Sequence, residues 1–377
     1  MKNYLILLLL VLLAACRHAG RTFEVLDKAE EFIQTYKPDS AYTLLKEIPN
    51  PQQYPEKERA RWCLLMTQAI DKTYRTHTSD SLIRFAVNYY EKVNDLSKLP
   101  TAFYTLGRVQ RDLKDNEHAV NSFLKALDLA KGSDDYKLQY LAASQLGHVY
   151  AYSHFVDEAL NAYQQALYFA EQDNDSISLS YANSYLGRVY GLQKDWNRSI
   201  EFYQKAISMA KQISYIPILK AKLNELAAIY KYCEKYQEAA DCLELLISLE
   251  NEASSGMEGA VYLNLGDLYR VTDRNDLAIP YLEKALQTTN LYTKRATYQC
   301  FYYVYTGQRN YQKAVEYNNL FWECNDSIQK IENRKAVITA EAKYKHEKLL
   351  TEKQQLELKQ SKLIFWGSSL LLVAIII

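Results

Sequence analysis

Eleven side chains, spread over five stretches of the chain, have the types and spacing to act together on a ligand. They are Tyr104, Arg108, Arg111, His148, Tyr152, Tyr181, Arg188, Asn224, Lys231, Tyr232 and Arg270. Guanidinium forks bind carboxylates through paired hydrogen bonds, and phenol rings give broad contact with a polar tip. A basic and aromatic ladder of this kind suits a carboxylate-bearing peptide. The competing reading is an ordinary solvated helix face, with most of the 33 tyrosines acting as packing groups. Covalent chemistry has no comparable candidate. The chain lacks a Gly-rich phosphate loop, His-Glu-x-x-His, Cys-x-x-Cys and Gly-x-Ser-x-Gly. Of the six histidines, His148 and His154 lie close together, but without a cysteine or carboxylate at metal-ligand spacing. No catalytic residue, metal or cofactor is therefore expected, and the chain does not read as an enzyme. Equal counts of 45 basic and 45 acidic residues give no electrostatic case for nucleic acid.

The elements that must position the ladder show as a period. Small residues recur at Gly107, Gly147, Gly187, Ala227 and Gly266, in steps of 40, 40, 40 and 39. Fixed offsets from each lead to Ala119, Phe123 and Ala126, then Ala159, Tyr163 and Ala166, then Ser199, Tyr203 and Ala206. From Ala227 they reach Ala239, Leu243 and Leu246, and from Gly266 they reach Ala278, Leu282 and Ala285. Each copy holds two runs at helical spacing, separated by a polar turn such as Lys114-Asp115-Asn116. Gly107 and Ala119 are small because two antiparallel helices approach closely there. Tyr150, Tyr190, Tyr230 and Tyr269 fill the space towards the next copy. One such hairpin cannot cover its own apolar face, so copies must stack.

The Leu-Gly-x-x-Tyr run at Leu146–Tyr150, followed by Ala159, Tyr163 and Ala166, resembles the tetratricopeptide repeat. Residues beyond the usual period, as from Lys131 to Lys137, are expected to lengthen helices. The resemblance implies an all-α, right-handed α-solenoid of about eight tandem hairpins whose first helices line a concave groove. Weaker hairpins are expected over 16–98, where Ala29, Phe32, Ala41, Leu45 and Ile48 and then Thr67, Ile70, Ser79, Ile83 and Ala86 keep the offsets. The array proper covers 99–325, ending in a degenerate copy with Tyr302, Ala314, Asn318 and Phe321. The Asn and Lys set that clamps a peptide C-terminus in some members of the family is not visible here.

The two ends carry addresses. Lys2, an apolar run from Tyr4 to Leu13 and then Ala14-Ala15 read as a cleaved signal over 1–15. Leu13-Ala14-Ala15-Cys16 resembles a bacterial lipobox, which implies lipidation of Cys16; an ordinary signal with an incidental cysteine is the alternative. Residues 326–362 form a Gly- and Pro-free, Lys/Glu/Gln-rich stretch expected to be one long charged helix. It either pairs with a second copy as a homodimer coiled coil or packs back on the array. Residues 363–377 are apolar and read as a C-terminal hydrophobic helix, either a transmembrane segment cut short or a bare tail. Cys233 with Cys242, and Cys300 with Cys324, sit on opposite helices of one hairpin, as disulfides or as free thiols.

Export followed by a span would put the repeats in the periplasm and the anchor in the inner membrane of a bacterial envelope. Repeats, a charged helix and a span together resemble Bacteroidetes membrane regulators. That likeness implies an extracytoplasmic protein-binding module feeding a signalling or transcriptional output. The alternative is a lipid-anchored envelope scaffold without output. A glycan-capturing lipoprotein would want more tryptophan platforms than Trp62, Trp196, Trp322 and Trp366 provide.

Overall fold

The computed structural model describes residues 24–249 and 258–334, together with Lys359. The chain divides into two compact units, Met1–Ile328 and Gln329–Ile377. The first is a run of helical hairpins, with no strand among the described residues. The helices are α1 (24–34), α2 (Pro38–Lys46), α3 (Glu56–Lys72), α4 (Ser81–Lys92), α5 (Leu99–Asp112) and α6 (Asn116–Ala130). They continue with α7 (Tyr136–Tyr152), α8 (Val156–Asp173), α9 (Ser176–Leu192), α10 (Trp196–Gln212), α11 (Ile216–Tyr232) and α12 (Tyr236–Ser248). The series closes with α13 (Glu258–Val271), α14 (Asn275–Ala285), α15 (Leu291–Gly307) and α16 (311–334).

One turn design joins the two helices of every hairpin. Seven residues beyond each small position, the backbone enters the left-handed region: Tyr36, Tyr74, Lys114, His154, Lys194, Glu234, Asp273 and Arg309 all have φ between 55° and 66°. The following N–H reaches back five residues to a carbonyl of the first helix, as in Asp115 to Gln110 and Asp195 to Tyr190, both 2.9 Å. This is the Schellman closure, which satisfies carbonyls left over at a helix C-terminus. Aspartates then cap several second helices: Asp115 accepts from the His118 N–H and Asp195 from the Arg198 N–H. The shared turn extends to the copies at Ala29, Thr67 and Tyr302, whose sequences match the pattern least.

Close approach explains the glycines. A Cβ on Gly107 would lie 2.6 Å from the Phe123 ring, and one on Gly147 would lie 2.5 Å from the Tyr163 ring. Ala119, Phe123 and Ala126 are fully buried, as are Ala159 and Ala166, with Tyr163 nearly so. Tyr190, Tyr230 and Tyr269 are buried between copies, and Tyr150 is half-buried. The residues beyond the usual repeat length do lengthen helices: α7, α9, α10 and α11 each run 17 residues and α8 runs 18.

Successive helices pack in chain order. In addition, α5 touches α3 and α7, α9 touches α7 and α11, and α13 touches α11 and α15. Between α2 and α15 no even-numbered pair makes a comparable contact among the described residues. The odd-numbered helices thus form the inner layer of the stack. Cys63, Cys233, Cys242, Cys300 and Cys324 are all free thiols, the second of the two readings that the sequence left open for Cys233 with Cys242 and Cys300 with Cys324. The signal at 1–15, Cys16, residues 335–358 and 360–362 of the charged stretch and the apolar stretch 363–377 lie outside the described residues. Among those described, no helix is long and apolar enough to cross a membrane.

Candidate binding face

All eleven residues singled out from the sequence sit on odd-numbered helices, α5, α7, α9, α11 and α13. Most of the charges are tied to a neighbouring copy. Arg108 donates to Asp71 of the preceding copy at 2.8 Å and lies beside Tyr104. Arg111 donates to Gln145 of the next copy and, at 2.7 Å, to Asp112. Arg188 reaches forward to Glu225 at 3.1 Å, and Lys231 reaches forward to Asp267 at 2.6 Å. Arg270 shares Asp267 at 2.7 Å and lies over the Tyr303 ring. Asn224 accepts from Asn264 at 2.7 Å. Tyr152 and Tyr232 point outward, 78% and 69% exposed, with Tyr232 stacked on Trp196.

The middle of the face is different. His148 shares a 2.9 Å hydrogen bond with the Tyr163 hydroxyl and meets the Tyr185 ring edge-on at 4.6 Å. Tyr181 stacks on Tyr185, and Lys222 lies 5.2 Å over the Tyr181 ring. Oε1 of Glu225 accepts from both Arg188 and Lys222, while its Oε2 is buried without a partner. Two cations therefore share one carboxylate. Burial, reinforced by Arg188, Arg111, Arg108 and Lys222, pushes the His148 imidazole down to about 3, so it is neutral near pH 7. Burial also lowers the Lys222 ammonium, with Glu225 acting against it.

Models of the tetratricopeptide repeat match residues 100–132, 139–212 and 259–289, the stretches where the glycine and its partner ring or leucine are most regular. These hairpins are tetratricopeptide repeats. No curated protein matches the chain. Among solved structures, the apo form of RapI shares 13% identity over 82% of this chain and 98% of its own, with a TM-score of 0.58. Aspartyl phosphate phosphatase F from Bacillus subtilis shares 15% over 81% and 94%, at 0.53. A signal-transduction ATPase with a tetratricopeptide repeat sensor from Pyrococcus horikoshii shares 16% over 71% of this chain, at 0.60. This chain spans only 41% of that ATPase. At such identities the likeness establishes the solenoid fold.

Several residues of the repeat face escape a sequence reading: Asp71, Gln145, Tyr185, Lys222 and Glu225. A signal for two of the pairings existed. Asp71 and Lys231 stand four residues past the small position of their copies, and their partners Arg108 and Asp267 stand one residue past the next. Opposite charges at those two positions of consecutive repeats predict a bridge. Arg188 has Ala151 at that place in the preceding repeat and turns forward to Glu225 instead. A separate group, Asp71, His77 and Asp112, brings three potential metal ligands within 4.8 Å of one another.

Proposed function

We propose that the array is an extracytoplasmic protein-binding module that captures a carboxylate-bearing segment of a protein partner on its inner face. Tetratricopeptide repeats are interaction scaffolds, which supports the protein-binding part of this reading. The observation that carries the rest is the centre of the face, where Arg188 and Lys222 share one oxygen of Glu225 beside a neutral His148. An incoming carboxylate would supply the second anion to this pair, and Tyr152, Tyr181 and Tyr185 offer ring surface around it.

The module serves as the input part of a membrane-bound signalling or transcription regulator. The signal-like N-terminus, the charged stretch 326–362 and the apolar stretch 363–377 support this order of parts. The Pyrococcus horikoshii ATPase offers a parallel division of labour, with repeats described as its sensor. Extending the reading frame past codon 377 decides between this reading and a lipid-anchored scaffold. Entry into a DNA-binding or kinase domain favours the regulator, and an immediate stop favours the scaffold. The Cys16→Ser variant should release the protein from membranes only in the scaffold case.

The groove is tested by an Arg111→Gln, Arg188→Gln double variant, which removes two cations without adding opposite charge. Capture of a partner from envelope extracts should be lost while far-ultraviolet circular dichroism stays unchanged. Undiminished capture by a folded double variant would contradict the assignment.

A further inference from the structure

Hairpin α3/α4 departs from the other repeats at one place. In α7/α8 the left-handed residue His154 is followed by Phe155, and the second helix begins at Val156. In α3/α4 the left-handed residue is Tyr74, yet α4 begins only at Ser81. Residues 75–79 replace the first turn of the second helix with non-helical chain and carry His77 into the protein, where it is 8% exposed. The buried Nε2 of His77 has no hydrogen-bond partner, a costly condition for a polar atom removed from water. Around the ring stand Asp71 in the last turn of α3 and Asp112 at the end of α5. One nitrogen of His77 and one oxygen of each aspartate lie within 4.8 Å of one another.

We infer that Asp71, His77 and Asp112 form a binding site for a divalent first-row transition cation of the Zn²⁺ or Co²⁺ type. One imidazole and two carboxylates supply three ligands and leave a position for water. The imidazole disfavours Mg²⁺ and Ca²⁺, which take oxygen ligands. A cation held at Nε2 gives that atom the partner it lacks. Metal–ligand bonds of about 2.0–2.2 Å in tetrahedral geometry set ligand atoms about 3.4 Å apart, so the three groups, now within 4.8 Å of one another, draw together by up to roughly 1.4 Å on binding. The site has competitors. Asp71 Oδ1 accepts from Arg108 at 2.8 Å, and Asp112 Oδ1 accepts from Arg111 at 2.7 Å. A bound cation draws on carboxylates that two guanidinium groups already hold, which makes binding selective for strong Lewis acids and of moderate strength. Removing one guanidinium should tighten it.

The test is a Co²⁺ titration of the reduced full-length chain followed by visible absorption, because cobalt reports its ligands. The expected result is one saturable site with a nitrogen and oxygen ligand field. His77→Ala and Asp112→Asn should each weaken it by about tenfold or more, and Arg108→Gln should strengthen it by about tenfold. Asp112 is exposed, so Asp112→Asn keeps the test open if His77→Ala fails to fold. Absence of saturable binding up to about 100 µM would overturn the site. So would a thiolate charge-transfer band from the free cysteines, titrations unmoved by both ligand substitutions, or weaker binding in Arg108→Gln.

Discussion

Hairpins α3/α4 and α7/α8 are built on one plan and resolve it differently. Both turn through a left-handed residue, Tyr74 in one and His154 in the other. Both bury the side chains sixteen and nineteen residues past the small position: Ile83 and Ala86 in the first, Tyr163 and Ala166 in the second. The small position itself differs. It is Gly147 opposite the Tyr163 ring, but Thr67 where Ile83 stands at the same offset, with the threonine hydroxyl bonded to the Cys63 carbonyl at 2.7 Å. All three repeats with a ring at that offset, Phe123, Tyr163 and Tyr203, have glycine at the small position. Those at Ala29 and Ala227 pair alanine with Leu45 and Leu243. Gly266 faces Leu282, which a Cβ there would meet at 2.7 Å, but in the other repeats named here size at one site trades against size at the other, so a repeat can lose its signature glycine and keep its packing.

That trade can be broken directly. Gly147→Ala places a methyl against the Tyr163 ring and should cost about 1–3 kcal/mol in urea unfolding. Adding Tyr163→Leu should recover much of the packing loss, because it recreates the alanine–leucine pairing of Ala227 and Leu243. In contrast, Thr67→Ala should cost only about 1 kcal/mol, through its lost hydrogen bond. Equal costs at Gly147 and Thr67 would remove the distinction.

Acid acts on one of the two hairpins through a buried imidazole. His148 on α7 is held neutral in the folded chain at about 3, against an ordinary value near 6.5. The unfolded chain therefore binds its proton first as pH falls. The stability that depends on a neutral His148 is complete above about pH 7 and declines below about pH 6.5, by roughly 1 kcal/mol per pH unit. His148→Gln should flatten melting temperature between about pH 6.5 and 5. An unchanged slope would place the acid sensitivity elsewhere. The smallest effect concerns what the two hairpins share. Tyr74→Gly and His154→Gly each relieve a left-handed strain and should raise stability by about 0.5 kcal/mol, measured by thermal melting.

The stacking of hairpins was legible because ring-against-glycine contacts force a visible residue choice at Gly107, Gly147 and Gly187. The copy at Tyr302, with Asn318 at the ring offset, lacks that constraint, and its turn at Arg309 declares it only through backbone geometry. Burial at Ala159 and Ala166 followed from helical spacing alone. The basic and aromatic residues of the inner face were also readable as a line. Their engagement was readable only in the opposite charges of Asp71 with Arg108 and Lys231 with Asp267; the rest depends on which position of one repeat meets which position of the next. Asp71 and Glu225 sit at unlike places in their repeats, and a scan for a ladder of like residues passes over both. His77 was hidden for another reason: the turns of the better-matched repeats give no hint that a helical turn gives way to non-helical chain at residues 75–79. Metal-ligand spacing in sequence fails for ligands gathered from three separate segments.

The inner face requires the weakly matching hairpins at the N-terminal end to be units of the same stack as the regular ones. Its most direct test is deletion of residues 1–98, with far-ultraviolet circular dichroism followed through thermal melting. Because each repeat contacts mainly its neighbours, the shortened chain should keep its helix content per residue and melt cooperatively at a lower temperature. Loss of helix throughout residues 99–328, or a melt without cooperativity, would contradict the stack and the inner face built on it.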